Sequence, residues 1–175
     1  MTAARASPER RRIYSGRVTA ITDGPRWLDD GEARAWRAYV IASELLRKQL
    51  NRELQERHGL ALADYEVLVR LSECDGGRMR MAQLAGEVAS SKSRLSHQIA
   101  RMETTSLVQR VECGDDARGV FAEITQAGRD RLRETAPTHV AGVRAHLIDL
   151  LDPNDQEALA DIFHRVLNHL GHPEA

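Results

Sequence analysis

Between Arg78 and Thr125 the apolar positions change their period, and that change organises the rest of the chain. Over Ser91–Glu103, Leu95, Ile99 and Met102 fall at i, i+4 and i+7, the stripe of a helix that seats one face on a core. Beyond it, Leu107–Glu112 and Val120–Thr125 alternate apolar and polar residues, as two strands joined by the polar loop Cys113–Gly119. Ahead of it come a short strand from Arg78, a short helix over about Ala82–Val88 and a turn. Short helix, turn, helix (about Lys92–Thr104) and hairpin predict a winged helix-turn-helix over about residues 62–125.

The flanks read as helix. Asp29 or Asp30 opens a run, Glu32–Arg57, with Trp36, Tyr39, Val40, Leu46, Leu50 and Leu54 on one face, and His58-Gly59 stops it. Ala63–Glu73 follows, with Tyr65, Leu68, Val69 and Leu71 expected inward. After Thr125, a helix cap, Ala127–Leu151 reads as a helix interrupted at Pro137, where the lost backbone hydrogen bond should kink or restart it. Asp152-Pro153 starts the last helix, whose Leu159, Ile162, Phe163, Val166, Leu167 and Leu170 make a wide apolar face. The predicted class is mainly α with a small β wing. One domain spans 25–175, and helices at about 27–58 and 127–170 are placed to pair two copies.

Charge sharpens this picture. The whole chain carries a formal net charge of −1, yet Lys92, Ser93, Arg94, Ser96, His97, Gln98 and Arg101 cover the polar faces of the second helix, with no acid before Glu103. Ser90 or Ser91 is its N-cap. Side-chain charge and the helix dipole then make the N-terminal half positive, which suits phosphate. Hydroxyls, an amide and an arginine are also groups that meet base edges. A solvated basic face is the plainer alternative for this helix. Arg118, near the wing tip, suits a minor groove, or else pairs with Asp116 and only shapes the loop. Residues 1–24 hold Arg5, Arg10, Arg11, Arg12 and Arg17 with little apolar periodicity, which reads as an unstructured basic arm, the sharper alternative being an arm that adds phosphate contacts.

At this point the segment resembles the MarR family of bacterial transcription regulators. The resemblance rests on Ala63-Asp64-Tyr65-Glu66-Val67-Leu68, Arg80–Ala85, Ser91–Gln98, Asp116-Ala117-Arg118-Gly119-Val120 and Thr125-Gln126-Ala127-Gly128-Arg129, and covers roughly residues 27–170. It implies a homodimeric repressor that binds a pseudo-palindromic DNA operator and is released by a small phenolic or amphipathic effector. Carried over by position, Ser91–Arg101 is the base-reading helix and Arg118 the wing residue. Two positions depart from the family's habit. The turn before the reading helix has Ala89-Ser90 in place of a glycine, and the wing tip has Ala117 in place of a first basic residue.

Other chemistry has little support. Cys74 and Cys113 have no metal-ligand spacing; both read as reduced thiols, with a redox role for Cys113, near Arg110 and Arg118, the minor alternative. The histidines form no zincin-like pair, and there is no phosphate loop or nucleophile elbow, so neither an enzyme, a metal nor a cofactor is expected. A cytoplasmic location is expected because no run is apolar enough for a membrane span. If an effector pocket exists, Trp36, Tyr39 and Tyr65 are its candidate aromatics, each equally readable as core. The rival from another class is a ligand-binding or protein-interaction module that keeps the winged fold without specific DNA binding.

Overall fold

A computed structural model describes residues 26–113 and 116–172, without the side chains of 113–119; the basic arm at 1–24 lies outside these residues. The order is α1 (Asp30–His58), α2 (Leu62–Glu73), β1 (Arg78–Arg80), α3 (Met81–Glu87), α4 (Lys92–Thr104), β2 (Val108–Cys113), β3 (Asp116–Ile124), α5 (Gln126–His146) and α6 (Pro153–His169). The chain forms two units, Met1–Leu46 and Arg47–Ala175.

In the first unit α1 begins with a reciprocal cap. The Asp29 carboxylate accepts the Glu32 amide at 2.8 Å, and the Glu32 carboxylate accepts the Asp29 amide at 2.9 Å. Trp36 and Tyr39 touch each other, with ring centroids 5.9 Å apart, yet each remains 47% exposed. Val40, Ile41 and Leu45 are exposed as well. The apolar face read from the sequence is therefore open over this half of the helix.

The second unit holds the core. Leu54, Val67, Leu68, Leu71, Leu84, Leu95, Ile99, Met102 and Val108 are all fully buried. Burying such side chains contributes roughly 1.5–3 kcal/mol each before the entropy of ordering them is charged. On α2 it is Val67 that is wholly buried, while Val69 is only partly covered. α2 is covered over a wider arc than a single stripe, so Leu62, Asp64 and Val67 turn inward together with Tyr65, Leu68 and Leu71.

The sheet has three antiparallel strands in the order β1-β3-β2. Register pairs Arg80 with Phe121 and Val108 with Ile124. β3 starts at Asp116, four residues before the alternation does, because ladder hydrogen bonds need no apolar pattern. The pairing slips between Glu112 and Cys113, where Cys113 meets Asp116.

α5 runs as one helix through Pro137 and does not restart there. The proline leaves the Arg133 carbonyl without its helical donor, and both residues are exposed, where solvent can take the place of that donor. Within this unit α5 lies along the end of α1. His146 Nε2 meets Glu53 Oε1 at 2.7 Å, His58 Nε2 meets Thr138 Oγ1 at 2.8 Å, and Gly142 lies over Leu50 and Glu53. α6 opens with a capping box between Asp152 and Asp155. Its Ile162, Val166 and Leu170 stay exposed, Leu170 by 71%.

His139 joins α5 to α2 by lying against the Tyr65 ring, centroids 4.4 Å apart. Its Nδ1 is buried without a hydrogen-bond partner, and burial pushes the imidazole below its ordinary pKa. A group depressed in the folded state takes up its proton first in the unfolded chain, so stability drops as pH falls below the ordinary value of about 6.5. A His139→Phe variant is expected to flatten that limb of a melting-temperature profile between about pH 5 and 7. An unchanged profile would assign the limb to other groups.

The turn between α3 and α4 resolves the first departure from the family pattern. The Ser90 amide donates to Ala85 O at 2.8 Å and the Ala89 amide to Gly86 O at 2.9 Å, which closes α3 as a Schellman motif. Ala89 occupies its left-handed position, φ +47. A β-carbon costs roughly 1–2 kcal/mol there, against about 0.5–1 kcal/mol for the extra freedom of an unfolded glycine. Ala89→Gly is therefore expected to raise stability by about 1 kcal/mol or less, read from denaturant midpoints. A loss would mean that the exposed Ala89 methyl makes a contact that matters.

Candidate nucleic-acid interface

α4 keeps the boundaries read from the sequence, Lys92–Thr104. Leu95, Ile99 and Met102 fix its inner face, each 1% exposed or less. Ser91 is the N-cap, its hydroxyl accepting the Arg94 amide at 3.3 Å. The free amides of the first turn therefore point outward from an end that carries no acid. Ser91, Lys92, Ser93, Arg94, Ser96 and His97 are all exposed. Among the described residues, the side chains of Lys92, Ser93, Arg94 and His97 make no hydrogen bond or ion pair.

The remaining predicted residues on this helix are already engaged. Gln98 Nε2 donates to Ala63 O at 2.8 Å and to Asp64 Oδ1 at 3.0 Å. Arg101 Nη2 donates to the same Asp64 oxygen at 2.6 Å. Asp64 itself is only 8% exposed, in the first turn of α2. On the other flank Arg110, from β2, reaches Glu103 Oε2 at 2.7 Å and the Ser96 carbonyl at 2.8 Å, while its amide donates to Glu103 Oε1 at 2.9 Å. Sequence reasoning passed over Asp64, Glu103 and Arg110 as functional residues. The one available signal was an acid in an otherwise apolar inward face of α2.

Two clefts flank the helix. One, of about 740 Å³, runs between α2, the end of α3 and α4. Arg47, Arg70, Arg94, His97 and Arg101 line it against Glu66 and Glu87, and Arg47 holds Glu66 through two bonds of 2.9 and 3.2 Å. The second, of about 390 Å³, lies between α4 and the sheet and is lined by Arg80, Lys92, Ser96, Arg110 and Val120. The guanidiniums of Arg78 and Arg80 stand 5.7 and 5.1 Å from the centre of the Phe121 ring, so β1 adds positive charge beside the wing. The backbone of Arg118 continues β3, and its side chain lies outside the described residues.

Trp36 and Tyr39 lie together and exposed in the first unit, and Tyr65 is buried against His139 in the second. None of the three lines either cleft. Burial pushes the Cys74 thiol above its usual pKa, and Glu87, Glu73 and Asp75 add to the effect, so little thiolate is present near neutrality. The Cys113 side chain, with the redox role considered for it, lies outside the described residues. No group of three or more His, Cys, Asp or Glu is arranged to hold a metal among the described residues. Among these residues, too, no helix is long and apolar enough to cross a membrane.

Neither a family model nor a curated protein matches the chain. Solved structures do. AbsC, a MarR family transcriptional regulator from Streptomyces coelicolor, is 48% identical over 85% of this chain and 100% of its own, with a TM-score of 0.80. The chain belongs to the MarR family of transcriptional regulators. Sco3205, a second member from Streptomyces coelicolor, was solved in complex with DNA; it is 42% identical over 85% of this chain and 92% of its own, with a TM-score of 0.81. BldR from Sulfolobus solfataricus is more distant, 25% identical over 79% of this chain and 99% of its own, with a TM-score of 0.66.

The Thr125-Gln126-Ala127-Gly128 segment, on which part of the sequence resemblance rests, has a structural role. Thr125 Oγ1 accepts the Gly128 amide at 3.0 Å and donates to Ser106 O at 2.6 Å. One threonine thus caps α5 and ties it to the turn between α4 and β2. In this MarR-family chain the end of α4, the start of β2 and the start of α5 are tied to one another through Thr125.

Proposed function

We propose that this chain is a DNA-binding repressor that acts as a homodimer on a pseudo-palindromic operator. In this reading α4 enters the major groove and Arg118 the adjacent minor groove. Lys92 and Arg94 hold phosphates; Ser93, Ser96 and His97 meet base edges or neighbouring phosphates; Ser91 presents the capped helix end. The observation that carries the reading is the first two turns of α4. A capped, acid-free helix end with Lys92, Ser93, Arg94 and His97 exposed and unengaged among the described residues presents free donors and positive charge that suit an anionic partner.

Dimerisation draws support from exposed apolar side chains on α1, with Trp36, Tyr39 and Val40 on one side of the helix and Ile41 and Leu45 on another, and from the face formed by Ile162, Val166 and Leu170 along α6 and its cap. Exposed apolar surface of this kind favours association. A two-fold dimer sets its reading helices about one turn of DNA apart, so any ligand that alters their separation releases a rigid operator. A small aromatic or amphipathic effector fills that role.

A mobility-shift titration against the promoter of its own gene, at two salt concentrations and with competitor DNA, tests the reading. Saturable binding as a dimer is expected, resistant to random DNA and weakened by about 0.9 log unit per phosphate contact for each decade of salt. Binding no tighter than to random DNA would instead favour an interaction module that keeps the winged fold.

A further inference from the structure

We propose that Asp64 is a positioning residue for DNA recognition, acting through Gln98 and Arg101, and that these two do not themselves touch DNA. The proposal rests on the DNA-binding reading above. Its basis is the convergence of two donors from successive turns of α4 on one nearly buried carboxylate. Gln98 donates at 3.0 Å and Arg101 at 2.6 Å to the same Oδ1, with a further bond of 2.8 Å from Gln98 to the Ala63 carbonyl. A carboxylate in that position accepts strong, directional bonds and is costly to leave unpaired.

The ties fix a specific degree of freedom. The buried stripe of Leu95, Ile99 and Met102 resists lifting the helix off the core but resists rolling it about its own axis only weakly. Asp64 pulls on one flank. Arg110 pulls on the other, through Glu103 and the Ser96 carbonyl. Opposed ties on both flanks hold the roll angle, which sets whether Arg94 and His97 face the groove floor or its wall. Recognition tolerates errors of only about 0.5 Å and 10–20° in such groups.

The test compares Asp64→Ala, Arg101→Ala and the double variant by titration with operator and with scrambled DNA across a salt series. Positioning predicts that Asp64→Ala loses about tenfold in operator affinity, that Arg101→Ala loses no more than that because Gln98 keeps its bond to Asp64, that the double variant loses no more than Asp64→Ala, and that binding to scrambled DNA hardly changes. It also predicts a salt slope for Arg101→Ala equal to the parent's. If Arg101 contacts phosphate directly, Arg101→Ala makes the slope shallower by about 1.8 for the dimer, about 0.9 per half-site, and Asp64→Ala, which frees the arginine, binds at least as well as the parent. That result overturns the proposal. A parent that does not distinguish operator from scrambled DNA defeats the functional reading instead. The tie is then read from thermal unfolding, where positioning requires the two single variants to be non-additive and additive losses overturn it. Should Asp64→Ala fail to fold, Gln98→Met and Arg101→Met take its place, since both keep the aliphatic length and remove the donors.

Discussion

Gly128→Ala is expected to lower stability by about 3 kcal/mol or more, the cost of forcing a methyl into backbone that cannot yield. A β-carbon at this position meets the Leu107 carbonyl oxygen at 2.1 Å and Ile124 Cγ1 at 2.8 Å. Alanine is the better helix former by about 1 kcal/mol, so the steric term has to exceed that gain before any loss appears. It does, because the obstructing oxygen is held in place. Leu107 O accepts the Thr125 amide at 3.1 Å and lies 3.2 Å from the Thr125 hydroxyl, whose shorter bond goes to Ser106 O, so moving it disturbs the tie between α5 and the α4–β2 turn. For a chain of this size the loss corresponds to a fall of roughly 10 °C in melting temperature. Gly86→Ala is the matched control. Its β-carbon meets nothing within 4 Å, and the residue is exposed on α3, so helix propensity alone predicts a gain of about 0.5–1 kcal/mol. Equal effects from the two variants would show that the close approach at Gly128 is relieved cheaply.

Arg94→Ala carries the largest expected effect on function. Arg94 lies in the first turn of α4, exposed, with its own amide engaged by the Ser91 cap and its guanidinium on the rim of the larger cleft. Removing it deletes one contact per subunit, hence two per operator. That predicts a loss of about 3 kcal/mol, on the order of a hundredfold, and a salt slope shallower by about 1.8. Stability should barely move, since surface substitutions away from packing and caps stay within about 0.5 kcal/mol. If affinity falls only for operator DNA while the salt slope holds, Arg94 reads a base and not a phosphate. An unchanged affinity for both would move the interface off this helix. Arg118→Ala is expected to weaken operator binding by no more than Arg94→Ala.

The reading helix was legible because its signals are local. A stripe at i, i+4 and i+7, a serine cap and an absence of acids are all written within thirteen consecutive residues, and α4 has the boundaries they imply. The ties that hold it were not legible. Asp64 and Arg101 are 37 positions apart, and nothing in either residue's surroundings names the other. Tertiary packing also decided that Gln98, a residue type suited to adenine, turns toward α2. The short strand expected from Arg78 is β1, but its partner was not legible: it pairs with β3, more than forty positions later in the chain. Pro137 misled for the opposite reason: a local rule was correct about the lost hydrogen bond, but an exposed carbonyl can take water, and the helix continued.

A hydroxyl-radical footprint on the operator tests the central claim most directly. Two protected stretches are predicted, centred about 10–11 base pairs apart and related by the two-fold of the sequence, with a minor-groove patch beyond each for the wing. A single protected stretch, or uniform protection without half-sites, would contradict a dimer that reads DNA through paired α4 helices.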